Sequence, residues 1–330
     1  MPLVRSAYKN PWYLPTADLQ TIVPNIFRVV KGVVYKRERI STPDSDFLDI
    51  DWLSNKSANI ALLIHGLEAS AHSMYIKGMA KALSKQGWCV AAMNLRGCSG
   101  YPNVQPRSYH SGSTEDVKTV VDHILKSHQC KNLVIVGFSL GGNLVLKYLG
   151  ENGTAIPAVI SKAVTISVPA DLRACAEFLD RNALSIYKNR FLKSLKQKAI
   201  KHLPNDSFTL DRRDIDKVHS LVDFDDLYTA PLYGFRNAYD YYAKCSGKNF
   251  IQGITVPTLI LNARNDPFFT DACLPVEECT YHSGVFLEAP DKGGHVGFSM
   301  ENPYGYYSEM RTLNFLGGFT DSFVSVRTAG

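Results

Sequence analysis

The sequence predicts an α/β fold: a mostly parallel central sheet, helices on both of its faces, and a helical insertion past the middle of the chain. Three observations carry this. From about residue 30 to 165, short apolar runs that end in turn residues alternate with amphipathic stretches of helical period. Such alternation joins parallel strands through crossover helices and covers both sheet faces. From about 171 to 250 the strand signal disappears, and charged, tyrosine-rich helical sequence replaces it. Strand signals then return before a closing helix, so the break reads as an insertion into one unit spanning 1–330 and not as a second independent domain.

The elements follow in order. "VVYKRERI" and "FLDIDWL" alternate apolar with polar residues, as an antiparallel pair at a sheet edge does. "IALLIHG" and "WCVAAMNLRG" are continuous apolar runs that suit strands buried on both faces. Between them "MYIKGMAKALSKQG" has helical spacing and stops at Gly87. "STEDVKTVVDHILKSH" opens on Ser, Thr and acids. Val117, Val120, Val121, Ile124 and Leu125 then recur on one helical face. "NLVIVGFS" is a strand, "LGGNLVLKYLG" a helix stopping near Gly150, and "KAVTISVPA" a further strand. After the insertion come strands at "PTLILNA" and "VFLEAP", then a helix within about 303–318.

Composition narrows the function classes. The 330 residues are 45% hydrophobic and 20% charged, an ordinary globular balance able to build a core without disulfides or metals. The net charge of +5 is local: Lys188 to Lys201 holds six Lys or Arg and no acid, and the remainder carries 30 basic against 31 acidic residues. No chain-wide basic surface argues for nucleic acid. Seven cysteines, without any C-x-x-C spacing, fit reduced thiols in a cytoplasmic protein better than a disulfide frame or a zinc site. The N-terminal "MPLVRSAYKNPWYLP" lacks a secretory signal's apolar stretch. The longest mostly apolar window, between Lys131 and Lys147, is too short to span a bilayer.

Gly137-Phe138-Ser139-Leu140-Gly141 matches G-x-S-x-G. The pattern alone is common. Its setting sharpens it, because a strand precedes it and a helix follows. That is the turn on which a serine oxygen is exposed as a nucleophile, and the bland alternative is a glycine bend after a buried strand. A serine hydroxyl needs a base to take its proton. Asp266, just past "TLILNA", and His295, in the glycine-rich loop after "VFLEAP", fall in the order Ser, acid, His. Asp266 could also be a turn or capping aspartate, with Asp271 and Asp291 as rivals, and His295 a plain loop histidine. The backbone N–H groups of Leu67, after the strand ending at His65-Gly66, and of Leu140 are candidate donors to a developing oxyanion. His65 reads as a brace for its loop.

With these residues in place the chain resembles the YheT-like branch of the α/β-hydrolase superfamily, which includes bacterial esterases, fungal medium-chain ester synthases and animal lipid hydrolases. The resemblance rests on "LQTIVPNIFR", "HGLEASAHSMY", "MNLRGCSG", "YHSGSTEDV", "GFSLGGNLVLKYLGE", "FDDLYTAPLYGFRNAYDYY", "ARNDPFF" and "GGHVGF". The resemblance puts nucleophile, acid and histidine on Ser139, Asp266 and His295. It implies hydrolysis of carboxylic esters of short to medium acyl chain, or acyl transfer or phospholipid cleavage on the same triad, with no metal or organic cofactor. A ligand-binding protein on the same scaffold is the non-catalytic alternative. Two departures stand out: "EASAHS" in the oxyanion loop, where relatives carry more Gly and Ser, and Asn265, where an acid often precedes the catalytic one.

The insertion is read as a lid over the site. Within it Phe191, Leu192, Leu195, Ala199, Ile200 and Leu203 recur at helical spacing among lysines. Segment 188–203 therefore reads first as a lid helix packed on its own core with a solvated lysine face, with weak contact with an anionic membrane surface as the functional alternative. His110 is expected to line the pocket, or its stretch "YHSGSTEDV" to cap the helix that follows or brace the loop. Tyr233, Tyr239, Tyr241 and Tyr242 are expected to pack the lid against the body, and Arg96-Gly97 to form a turn.

Overall fold

The computed structural model describes residues 3–54, 56–181, 186–201, 211–301 and 305–317. Among the described residues nine strands form one sheet: β1 (Leu3–Val4), β2 (Lys36–Ser41), β3 (Phe47–Leu53), β4 (Asn59–Ile64), β5 (Cys89–Asn94), β6 (Asn132–Phe138), β7 (Ile160–Ile166), β8 (Thr258–Leu261) and β9 (Val285–Glu288). Their spatial order is β1-β9-β8-β7-β6-β4-β5-β3-β2. The β2–β3 and β3–β5 pairs are antiparallel and all others parallel. The expected antiparallel edge pair is therefore present, and β3 carries the change of direction inward to β5.

The apolar runs become strands buried on both sides. In β4, Ile60, Leu62 and Ile64 enter one core, while Ala61 and Leu63 enter the other. The first core lies under α3 (Thr114–Ser127) and α4 (Leu140–Asn152), through Val117, Val121, Leu144 and Val145. The second lies under α2 (Met74–Lys85) and α12 (Tyr307–Leu316), through Ile76, Met79, Leu83 and Phe315. Period two in the strand and period 3.6 in the helices thus meet at two apolar layers.

Two N-terminal elements were not anticipated. β1 adds a parallel edge strand on β9, and its two residues are too few to show a period. α1 (Ala17–Phe27) is capped by the Thr16 side chain and contains Pro24. The helix after β6 also runs past Gly150 and ends at Asn152, where Gly153 takes the positive φ of +50° that closes it.

Between β7 and β8 the chain is helical in its described parts. It forms α5 (Leu172–Arg181), α6 (Ile186–Lys201), α7 (Arg212–Asp216), α8 (Leu221–Phe224), a π-helical turn (Asp225–Thr229), α9 (Ala230–Leu232) and α10 (Ala238–Cys245). A short α11 (Val276–Thr280) precedes β9. The inserted helices share a third apolar cluster that includes Leu179, Leu192, Phe224 and Tyr241, and also Phe268 and Phe269 from the loop after β8. The insertion is thus packed onto the C-terminal edge of the sheet.

Candidate active site

β6, β8 and β9 run in the same direction, so the loops that follow them gather at one edge. Ser139 follows β6 directly. Its backbone has φ +50° and ψ −123°, a positive-φ conformation outside the left-handed α basin that costs a non-glycine residue about 1–3 kcal/mol. Two hydrogen bonds hold the turn: Ser139 N–H donates to Ile166 O at 2.9 Å, and Gly142 N–H donates to Ser139 O at 2.8 Å. The flanking glycines are required by contact. A Cβ on Gly137 would lie 2.5 Å from Gly141 O, and one on Gly141 would lie 2.4 Å from Ile64 O. The strand, the helix and the β4 loop thus approach closely enough to leave the serine half-exposed at the tip.

The structure brings the three residues predicted from sequence together. His295 Nε2 lies 2.9 Å from Ser139 Oγ, and His295 Nδ1 lies 2.7 Å from Asp266 Oδ2. A carboxylate only accepts, so Nδ1 carries the proton and Nε2 is left to accept from the serine hydroxyl. Asp266 Oδ1 accepts the Phe268 N–H at 2.9 Å, which fixes the second oxygen. Asp266 is 3% exposed and His295 7%, so neither interaction competes freely with water. Phe268 stacks on the imidazole at a centroid distance of 3.9 Å, with Phe269 edge-on at 5.6 Å. The rivals are elsewhere: Asp271 is exposed, and Asp291, on the surface, lies 3.8 Å from Arg264.

α1 supplies supports that sequence reading missed. Thr21 Oγ1 accepts the His295 N–H at 2.9 Å, and Gln20 Oε1 accepts from both Gly293 N–H and Asn265 Nδ2, each at 2.9 Å. Asn265 Oδ1 in turn accepts the Gly294 N–H at 3.1 Å. Asn265 therefore joins the acid loop to the histidine loop, a use for an amide where an acid is often found. The stretch "LQTIVPNIFR" contained this support, but nothing local in it points to a loop more than 270 residues away.

Leu67 and Leu140 flank the serine. A Cβ on Gly66 would sit 2.9 Å from Ser139 Cβ, so the β4 loop lies directly against it. Among the described residues, the N–H groups of Leu67 and Leu140 have no hydrogen-bond acceptor. His65 is fully buried, with Nε2 accepting the Leu95 N–H at 3.1 Å and Nδ1 donating to Gly66 O at 2.7 Å. Burial pushes its pKa down to about 4, which keeps it neutral in this bracing role.

The serine opens onto a cavity of about 130 Å³. Leu172, Leu179, Phe191, Leu195, Phe224 and Tyr228 of the inserted helices supply its apolar wall. His110 lines it too, packed on Tyr233 at 4.2 Å, and also braces its loop by accepting the Gly112 N–H at 3.1 Å. Tyr241 and Tyr242 are buried, whereas Tyr239 is half-exposed. Asp225 lines the cavity as a half-buried carboxyl bound by Thr229 Oγ1 at 2.6 Å and Tyr242 OH at 2.7 Å; desolvation by the surrounding protein raises its pKa to about 6. Arg96 does more than form a turn: it makes two 2.8 Å contacts with Asp116 and one with Asp44, tying the β2–β3 turn to α3.

On α6 the apolar face points inward, and Leu192 and Ala199 are buried. Lys188 is buried, Lys196 is half-buried and donates to Asp216 O at 3.1 Å, and Lys198 is paired with Glu68 at 2.8 Å, so Arg190, Lys193 and Lys201 are the exposed cations of this helix. Leu203 lies outside the described residues.

Comparison with known proteins agrees with this architecture. Residues 61–301 match the family described as "alpha/beta hydrolase fold". The chain is 36% identical over 287 residues to "Putative esterase YheT" of Escherichia coli strain K12, covering 85% of this chain and 83% of that one. It is 29% identical to "Phospholipase ABHD3" of Mus musculus, covering 90% and 74%. Among solved structures, the Pyrococcus furiosus esterase Pf2001 superposes with a TM-score of 0.58 at 19% identity, over 88% of this chain and 97% of that one.

Proposed function

The chain belongs to the alpha/beta-hydrolase fold family, in its YheT-like branch, and on that premise we propose that it is a serine esterase cleaving carboxylic esters of short to medium acyl chain. The observation that carries the proposal is the unbroken hydrogen-bond chain from Ser139 through His295 to Asp266, opening on an apolar cavity. In this reading His295 takes the Ser139 proton as Oγ attacks the ester carbonyl. Asp266 holds the imidazole in the required tautomer and stabilises the imidazolium. The N–H groups of Leu67 and Leu140 receive the oxyanion; as it collapses the ester C–O bond breaks and His295 gives its proton to the departing alkoxide, and water activated by His295 then attacks the acyl-serine, freeing the acid and restoring the Ser139 hydroxyl.

The cavity size supports a short to medium chain. About 130 Å³ is close to the volume that holds a benzene-sized apolar group. A longer chain requires the insertion, about 171–250, to shift, and that is the sense in which it acts as a lid. A phospholipase or acyltransferase on the same triad is the second reading, favoured by the likeness to a phospholipase. Weak contact of segment 188–203 with anionic membrane would rest on Arg190, Lys193 and Lys201.

A fluorophosphonate probe should label the protein, and Ser139→Ala should abolish labelling in a folded protein. Persistent labelling of that variant moves the nucleophile elsewhere. A chain-length series of p-nitrophenyl esters should show activity falling as the acyl group outgrows the cavity. Release of fatty acid from phospholipid, or ester formation with added alcohol, in place of simple hydrolysis would shift the assignment to the second reading.

A further inference from the structure

Three side chains with no part in the site above meet at the far side of the sheet. Glu38 projects from the edge strand β2. His123 lies on the last turns of α3, and His128 caps that helix, its N–H donating to Ile124 O at 3.0 Å. His123 Nε2 lies 3.0 Å from Glu38 Oε1, and His128 Nε2 lies 3.4 Å from Glu38 Oε2. All three ligand atoms fall within 4.8 Å of one another. Among the described residues no other group of three His, Cys, Asp or Glu side chains converges in this way.

Two features distinguish the cluster from a casual surface ion pair. His128 Nε2 is shut off from solvent and makes no hydrogen bond, its 3.4 Å approach to Glu38 Oε2 being an ion-pair distance only. A buried polar atom left without a partner is costly, and an imidazole nitrogen aimed at a carboxylate and a second imidazole is relieved by a shared cation. The ligands are also oriented from behind. Trp52 Nε1–H donates to Glu38 Oε2 at 2.7 Å, and the Trp52 ring packs on His128 at a centroid distance of 4.3 Å. Ser127 Oγ lies 3.5 Å from His123 Nδ1. Metal-binding imidazoles and carboxylates are commonly held by such outer contacts.

We propose that Glu38, His123 and His128 form a binding site for a divalent transition metal of the zinc type. Ligands on one tetrahedral zinc stand about 3.4 Å apart, given bonds near 2.0–2.1 Å. The two histidine–carboxylate contacts are 3.0 Å to Glu38 Oε1 and 3.4 Å to Glu38 Oε2, and rotation of the half-exposed rings and the carboxylate brings one oxygen and both nitrogens onto a common ion. Two imidazoles and a carboxylate suit zinc, copper or nickel and not magnesium, which prefers an all-oxygen shell. The bound ion joins the edge strand to the end of α3. β2 is separated from β6 by β3, β5 and β4, and the end of α3 lies where β4 and β6 begin, opposite Ser139. The site therefore acts on stability and not on the ester chemistry.

The test is calorimetric titration of zinc chloride into the full-length, chelator-treated protein near neutral pH, with thermal melts alongside. Wild type should take up zinc and melt at a higher temperature with it, and magnesium chloride should give neither effect. His123→Gln and His128→Gln should each weaken zinc binding about 100-fold or more and remove the melting shift, and Trp52→Phe should weaken it about 10-fold. Circular dichroism confirms that the variants are folded. No uptake by wild type, or uptake equal in wild type and both histidine variants, overturns the assignment; the second result would place zinc elsewhere, such as on His295.

Discussion

Removing Glu68 tests whether the inserted helices set the oxyanion loop. Glu68 follows Leu67, the proposed oxyanion donor, and takes a left-handed φ of +53°. That conformation costs about 1–2 kcal/mol in a non-glycine residue, so contacts must hold it. Its N–H donates to Tyr109 OH at 2.7 Å, while Oε1 accepts from Tyr109 OH and from Lys198 Nζ, both at 2.8 Å. Oε2 accepts from Ser194 of α6. Glu68 is 7% exposed and Lys198 23%, so the ion pair is partly screened, and the side-chain contacts together contribute about 2–3 kcal/mol. Glu68→Ala releases the loop from α6 and lets it relax toward an ordinary backbone. Losing an oxyanion donor outright costs about 10²–10³ in kcat, so partial misplacement predicts a loss of about 10–100-fold. The assay is steady-state hydrolysis of a p-nitrophenyl ester, with melting temperature as control. The loss should fall on kcat, and Lys198→Met should give a smaller loss in the same direction. A folded Glu68→Ala with unchanged kcat and a raised KM would refute the argument and leave Glu68 as pocket wall only.

Other expectations follow from the same geometry. Asp266→Asn leaves one acceptor oxygen for two donors, His295 Nδ1–H and the Phe268 N–H, so the His295 tautomer is no longer fixed and kcat should fall about 10⁴-fold in steady-state ester hydrolysis. Gly141→Ala forces a Cβ to 2.4 Å from Ile64 O and 2.5 Å from His65 O, so urea unfolding should show a loss of about 3 kcal/mol or more, or no folded protein. Asp225 has a folded pKa raised to about 6 against about 3.9 unfolded, so its ionisation disfavours the folded state. That penalty is absent below about pH 4, grows as pH rises to 6 and is constant above, reaching roughly 3 kcal/mol. Asp225→Asn, which keeps an acceptor for Thr229 or Tyr242, should therefore gain stability over wild type between pH 4 and 7 in urea titrations. A stability difference independent of pH would contradict this.

Legibility in the sequence followed the range of each interaction. Strands β4 to β9 and helices α2 to α4 were marked by their own residues, because a strand buried on both faces must be apolar throughout and an amphipathic helix must repeat every 3.6 residues. β1 is too short to repeat anything. α1 has its own cap in Thr16, but its value to the site lies in contacts of Gln20 and Thr21 with loops near residue 265 and 295. "EASAHS" was legible as a departure, yet its meaning came only with Lys198 and Ser194, contributed by a helix 126 to 130 residues later. Arg96 read as a turn because its three acidic partners are 20 to 52 positions away.

By itself the sequence determined the scaffold and which side chains meet at the candidate site. Parallel strands end at one edge, so residues placed just after β6, β8 and β9 must gather there, whatever lies between them. Only the tertiary structure decided how large the cavity is, which way α6 faces, what props the histidine loop, and that Glu38 meets His123 and His128. Those depend on pairs of side chains brought together by packing from distant parts of the chain, and no period or spacing along a single strand or helix records them.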